Sequence, residues 1–224
     1  MVVTLPQSAA PKRRGRPPAD PAALAATSQE MKATICVAAL KLFEQGGVEA
    51  VNMRDIGKAL GVSPMMAYRY FPSKDHLLME LRIRAFSRFA ASLARWRRRA
   101  RAPEEALPLV CGAYLMFAYA HPHDYRLMFD MWAFEDVATM KAEFGEKLRR
   151  QSASWLEIQG AISDHLGDHA DKIDLGQSTD IVWSTLHGVA SLHLARKFVF
   201  GRSIRQLARP TIAAIVAGVT ARRI

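Results

Sequence analysis

The chain has 224 residues, half of them hydrophobic, enough to bury a sizeable core and too apolar for an intrinsically disordered chain. Its formal net charge of +10 calls for an acidic partner, either nucleic acid or an anionic membrane surface. The two cysteines, Cys36 and Cys111, are too few and too isolated for a disulfide framework or a metal site, and they fit a reduced, cytoplasmic setting.

The charge is unevenly placed: residues 1–101 hold 18 Lys and Arg against 7 Asp and Glu, whereas residues 102–224 hold 13 against 14. A polyanion-binding half joined to a half with another task is therefore expected. No apolar stretch follows the N-terminal basic cluster, so no secretory signal is expected. The uncharged run from Ala106 to His123 nears the length of a membrane span. Pro108, Gly112 and His121-Pro122-His123 interrupt or bound it, and it reads as a buried helix.

In chain order, residues 1–26 carry five prolines and little large apolar content, and read as a disordered basic arm. Within it, Lys12-Arg13-Arg14-Gly15-Arg16-Pro17-Pro18 contains an Arg-Gly-Arg-Pro core that resembles an AT-hook. Arg13, Arg14 and Arg16 then either enter an A·T minor groove or form a solvated tail that raises affinity without preference. Thr27 and Glu30 have capping-box spacing and predict the start of a first helix, with Ile35, Ala39, Leu42 and Phe43 on one face, ending at Gly46-Gly47. Asn52 caps a short second helix that stops at Gly61. Ser63-Pro64 starts a third, because the serine oxygen accepts free N–H groups and proline lacks the one the first turn leaves unused; it runs to about Phe71, where Pro72 breaks it. Ser73 caps a long fourth helix with Leu78, Leu81, Ala85, Phe89, Leu93 and Trp96 as its stripe. Further helices are expected at 104–120, 123–130, 135–167, 175–199 and 210–222, punctuated by Pro108, Pro122, Gly167 and Pro210. No alternating Val/Ile/Thr-rich run appears, so the chain is expected to be all-α.

The second and third helices, joined by Gly61-Val62-Ser63, form a helix-turn-helix candidate. From Ile35 to Leu81 the sequence ICVAALKLFEQGGVEAVNMRDIGKALGVSPMMAYRYFPSKDHLLMEL closely resembles the DNA-binding domain of the TetR family. The resemblance implies that Asn52 and Arg54 contact the DNA backbone, that Ser63, Pro64, Met65, Met66 and Tyr68 form the reading edge, and that Lys74 clamps a phosphate. A phosphate-seeking lysine at a helix N-terminus and a tyrosine hydroxyl suit those roles. Met65-Met66 departs from the Gly-Thr pair frequent in the family. Methionines make no bidentate bonds to base edges, so readout would rest on thymine methyls, on Arg69 and on DNA shape. Core filling by at least one of the pair is the alternative.

The resemblance divides the chain into an arm (1–26), a helix-turn-helix domain (27–75) and a ligand-binding and dimerisation domain (76–224). WSTLHGVASL at 183–192 and HPHDYRLMF at 121–129 resemble the WHG-type ligand-binding domain of the family. Tyr114, Met116, Phe117, Met128, Met131, Trp132, Phe134, Trp183 and His187 supply the aromatic and sulfur surface of a pocket for a largely apolar effector, or of an ordinary core. Leu186, Val189 and Leu192 on one helix and Ile212, Ile215, Val216 and Val219 on the last are the candidate homodimer surface. The family arrangement implies a four-helix interface, and two reading heads then meet half-sites about 34 Å apart on double-stranded DNA.

The overall expectation is a cytoplasmic, effector-responsive repressor with no catalytic role and no cofactor, since no phosphate loop or nucleophile motif is present. The alternative is a basic membrane-surface or metal-binding helical protein. His165 and His169, one turn apart among Asp164, Asp168, Asp171 and Asp174, have the spacing for a divalent ion but read better as a polar helix end. The arginines from Arg82 to Arg101 lie along the fourth helix; those past Arg95 read as a solvated face.

Overall fold

A computed structural model describes residues 21–129, 145 and 152–221; within them the chain is built of helices joined by turns, with no strand. The helices are α1 (Pro21–Ala50), α2 (Met53–Leu60), α3 (Pro64–Tyr68), α4 (Lys74–Arg97), α5 (Pro103–Ala120), α6 (Pro122–Phe129), α7 (Ser152–Leu166), α8 (Leu175–Leu194) and α9 (Ile204–Ala221), with a 3-10 turn at Gly167–Lys172. The all-α expectation is met.

The first helix starts at Pro21, not Thr27, so its opening turns occupy the end of the expected arm. Proline at the first position followed by Ala22-Ala23-Leu24-Ala25-Ala26 explains this, since alanine and leucine have the highest helix propensities. Thr27 therefore lies inside the helix and does not cap it. The backbone leaves helical geometry at Gly46 and Gly47, where the end was expected. Asn52 caps α2 by accepting the Asp55 N–H at 2.8 Å, and Gly61, with φ 66°, closes it in the left-handed region. Regular helix in α3 stops at Tyr68 and not Phe71, although Phe71 still donates to the Ala67 carbonyl at 3.0 Å. Ile35, Ala39 and Phe43 pack with Ile56, Ala67, Phe71 and Leu77 to form the core of this three-helix head.

Helix α4 belongs to both halves. Leu77, Leu78 and Leu81 are buried against the head, and Ala85, Phe89 and Leu93 are buried in the C-terminal bundle, where α4 meets α5, α6 and α7. Its 24 residues make a rod of about 36 Å. Helix α5 is the hub of the bundle, packing on α4, α7, α8 and α9, and no described helix is long and apolar enough to cross a membrane.

Two late helices differ from expectation. Helix α8 ends at Leu194, five residues early, because Arg196 takes a left-handed conformation (φ 55°) and the Lys197 N–H reaches back to the Leu192 carbonyl at 2.9 Å. This is a Schellman ending with arginine where glycine is usual. Helix α9 begins at Ile204, capped by a reciprocal pair: the Gln206 side chain accepts the Ser203 N–H at 2.8 Å, and Ser203 Oγ accepts the Gln206 N–H at 3.4 Å. Pro210 sits within that helix and does not start it. Most of the expected 135–167 helix before Ser152 lies outside the described residues.

The arginine face is less solvated than expected. Arg97 binds Asp164 through two nitrogens at 2.8 and 3.1 Å with Glu157 nearby, and Arg99 stacks on Trp96 at 4.7 Å. Asp164 is thereby engaged. His165 turns inward to the Glu104 carbonyl and Thr220, so these two members of the His/Asp group are held by other partners.

Candidate nucleic-acid interface and core pocket

The turn between α2 and α3 is tight because Gly57 has no side chain. A Cβ there would lie 2.9 Å from the Val62 carbonyl oxygen and 3.1 Å from the Pro64 nitrogen, while the Val62 N–H bonds the Gly57 carbonyl at 2.9 Å. This close approach packs the start of α3 tightly on α2 and leaves its outer edge in solvent. Ser63, Pro64, Met65, Tyr68 and Arg69 are exposed, Met65 by 68%, while Met66 is half-buried and Ala67 is in the core. The two methionines thus divide the alternatives, one outward and one packed inward.

Asn52, Arg54, Pro64 and Tyr68 line a shared depression of about 560 Å³. Asn52 is bound at both ends of its amide, the nitrogen donating to the Asp55 carboxylate at 2.7 Å, so Arg54 is the freer donor. The Ser63 hydroxyl makes no capping bond, contrary to expectation, and stands at the surface beside Pro64. Lys74 occupies the first position of α4, directly after Ser73, whose Oγ accepts the His76 N–H at 3.3 Å. Arg13, Arg14 and Arg16 lie outside the described residues.

Inside the C-terminal bundle, rings from four helices meet edge to face. Phe89 of α4 and Tyr114 of α5 stand 4.9 Å apart, Tyr114 and Trp183 of α8 5.5 Å, and Phe129 of α6 and Trp183 5.9 Å. A polar chain threads them: Tyr114 to Tyr125 at 3.1 Å, Tyr125 to His187 Nδ1 at 2.7 Å, and His187 Nε2 to Ser191 at 3.2 Å. Burial raises both tyrosine hydroxyls well above the usual phenol range and lowers His187 below the usual imidazole value. The sense that satisfies each group has Tyr114 donating to Tyr125, Tyr125 to Nδ1, and Nε2–H to Ser191. The chain opens into a cavity of about 250 Å³ lined by Tyr125, Arg126, Phe129, His187, Ser191 and Leu194.

Helix α6 links this cavity to α4. Asp124, next to Tyr125 and almost buried, accepts two bonds from the Arg88 guanidinium, that from Nε at 2.8 Å.

The sequence model for bacterial regulatory proteins of the tetR family matches residues 35–81, and that for the tetracyclin repressor-like C-terminal domain matches 107–215. The chain belongs to the TetR family. It is 43% identical to the HTH-type transcriptional repressor KstR of Rhodococcus jostii (strain RHA1) over 60 residues, 27% of this chain and 28% of that one. Matches to the curated relatives span 28% to 33% of their lengths. Among solved structures it resembles the transcriptional regulator FadR of Bacillus subtilis, solved with stearoyl-CoA, with a TM-score of 0.66 at 14% identity, covering 83% of this chain and 97% of that chain. It also resembles the ketosteroid transcriptional regulator KstR2 of Mycobacterium tuberculosis, with a TM-score of 0.57 at 16% identity over 84% and 94%.

Within this TetR-family chain the expected pocket residues separate. His187 lines the cavity, whereas Tyr114, Phe117 and Met128 are core residues behind it, and Trp183 contributes its ring to the wall of the aromatic cluster. Met131, Trp132 and Phe134 fall outside the described residues. Tyr125 and Phe129 stand in the HPHDYRLMF segment and Ser191 in WSTLHGVASL, but nothing in their residue types marks them as pocket lining. Of the expected dimer surface, Leu186 is buried within its own subunit, whereas Ile215 and Val219, though buried, form the floor of a groove between α8 and α9. Val189, Ile212 and Val216 are half-buried, and Leu192 is 43% exposed. That groove, of about 210 Å³, has Ile181, Thr185, Ala214 and Gly218 at its mouth.

Proposed function

We propose that the protein is an effector-responsive transcriptional repressor that binds an inverted-repeat operator as a homodimer in the cytoplasm. The observation that carries this reading is the continuity of α4, which holds Lys74 beside α3 at one end and Phe89 beside the aromatic pocket farther along. Arg54, Ser63, Tyr68 and Lys74 hold phosphates, and Met65 meets thymine methyls in the major groove. Arg13, Arg14 and Arg16 enter the adjoining minor groove. Two subunits join through the α8–α9 groove, since small residues at Ala214 and Gly218 permit close helix approach.

The effector is a largely apolar molecule with one hydrogen-bonding group that engages Tyr125, His187 or Ser191. An occupant that displaces Tyr125 moves α6, and through Asp124 and Arg88 biases the setting of α4 and the spacing of the two reading helices. A full switch of occupancy from 1:99 to 99:1 needs about 5.5 kcal/mol of differential binding.

Selection from a random duplex library by purified protein at physiological salt tests the reading. An inverted repeat with A·T-rich flanks is expected. No enrichment, with affinity collapsing steeply as salt rises, would leave only nonspecific phosphate attraction and overturn it.

A further inference from the structure

We propose a second binding site, separate from the Tyr125–His187 cavity and independent of the regulatory reading: the groove between the end of α4, the start of α5 and the first half of α9 takes an amphipathic organic anion. The groove is open to solvent and offers about 780 Å³, within the volume range of small-molecule sites and larger than the Tyr125–His187 cavity. Its floor is apolar and half-buried: the Trp96 ring, Pro108, Leu109 and Ile212. Its rim is cationic, with Arg99 and Arg101 from the α4–α5 turn facing Arg205 and Arg209 from α9. Glu105 is the lining carboxylate, and it already accepts the Arg101 backbone N–H at 2.8 Å.

Arg84, Arg88 and Arg97 each meet a carboxylate, whereas among the described residues Arg99, Arg101, Arg205 and Arg209, like the exposed Arg95 and Arg98, form no ion pair; Arg99 lies over the Trp96 ring and Arg205 over Tyr119, and the four rim arginines are the ones that line the groove. Like charges gathered around a concave apolar wall concentrate a positive field. Guanidinium groups suit a carboxylate or phosphate through paired N–H donors. A bare inorganic anion would leave the apolar floor unused, and a neutral apolar molecule would leave the arginines unused. DNA bound at Lys74 does not reach the groove, since Trp96 lies 22 residues farther along α4, about 33 Å. A concave site of this size fits a free amphiphile, with its chain on Trp96 and Leu109 and its head between the arginine pairs.

Calorimetric titration of the full chain with octyl phosphate below its micelle concentration tests this. Inorganic phosphate, octyl glucoside and phosphatidylglycerol vesicles serve as comparators. Octyl phosphate should bind saturably and at least tenfold more tightly than inorganic phosphate or octyl glucoside. The double variant Arg101→Gln/Arg209→Gln, whose side chains are exposed, should lose at least tenfold in affinity while keeping its melting temperature. His187→Gln should leave the affinity unchanged. The proposal fails if the arginine variant binds as tightly as the parent, or if His187→Gln abolishes binding, which would put the ligand in the inner cavity. It also fails if vesicles bind and free octyl phosphate does not, which would make the surface a lipid contact.

Discussion

His165 donates from Nδ1 to the carbonyl oxygen of Glu104 at 3.0 Å, the carbonyl that would accept from residue 108 in an uninterrupted helix and that Pro108 leaves without a donor. A carbonyl only accepts, so Nδ1 carries the proton and Nε2 accepts from the Thr220 hydroxyl at 3.2 Å. One imidazole thus repairs a proline defect in α5 and ties α7 to α9. His165→Phe should cost about 1–3 kcal/mol, the penalty for stranding buried polar groups. In a Pro108→Ala background, where residue 108 regains its N–H, the same substitution should cost less. A double-mutant cycle by urea unfolding measures this, and strict additivity would show that His165 does not serve this carbonyl.

The Arg88–Asp124 pair should matter for coupling more than for folding. Arg88 is 47% exposed at its side chain, so solvent screens the pair, and Asp124→Asn should cost only about 1–2 kcal/mol of stability. Operator affinity without effector should change little, while the fold-loss of affinity on adding effector should shrink. Fluorescence anisotropy of labelled operator, with and without effector, gives both quantities. An unaltered response would remove α6 from the transmission path.

Gly57→Ala should damage DNA binding while sparing the C-terminal bundle. The added methyl meets backbone at 2.9 and 3.1 Å, and backbone does not yield as a flexible side chain would. Overpacking of this kind costs about 1–3 kcal/mol, set against the smaller gain of alanine within a helix. Operator binding should fall at least tenfold, with the near-ultraviolet circular dichroism of Trp183 and its neighbours retained. Full operator affinity would mean that the turn relaxes freely.

His187 makes stability depend on pH in a definite sense. Burial lowers its pKa from the ordinary value of 6.5, so the unfolded chain binds the proton more readily. The stability contributed by neutral His187 is present above pH 6.5 and is lost as pH falls through its depressed folded value. Melting temperature should therefore drop on acidification below about pH 6.5, and His187→Gln should drop less over the same interval. Equal drops would assign the acid sensitivity to other groups.

Local chemistry made much of the fold legible in advance. Asn52, Gly61 and Ser73 act as caps where the sequence places them, because a cap depends on residues three or four positions away. Ser203 and Gln206 carry the same signal, and their reciprocal cap, not Pro210, starts α9. The Arg196 ending of α8 carried none, since a left-handed arginine is held by its surroundings and not by its own preference. The candidate reading edge of α3 rests on the family resemblance and not on local capping, and only packing separates exposed Met65 from half-buried Met66.

By itself the sequence determined the all-α class, the helix-turn-helix and the concentration of positive charge in the first half, because periodicity, capping and charge are written along the chain. The tertiary structure alone decided which groups meet. Tyr125 and His187 are 62 residues apart and Arg97 and Asp164 are 67 apart, and no periodicity brings such partners together. It likewise buried Leu186 within the subunit and placed Ile215 and Val219 at the floor of the α8–α9 groove. An apolar stripe says that a face must be buried, and only the packed helices say whether a neighbour in the same subunit or a second subunit does the burying.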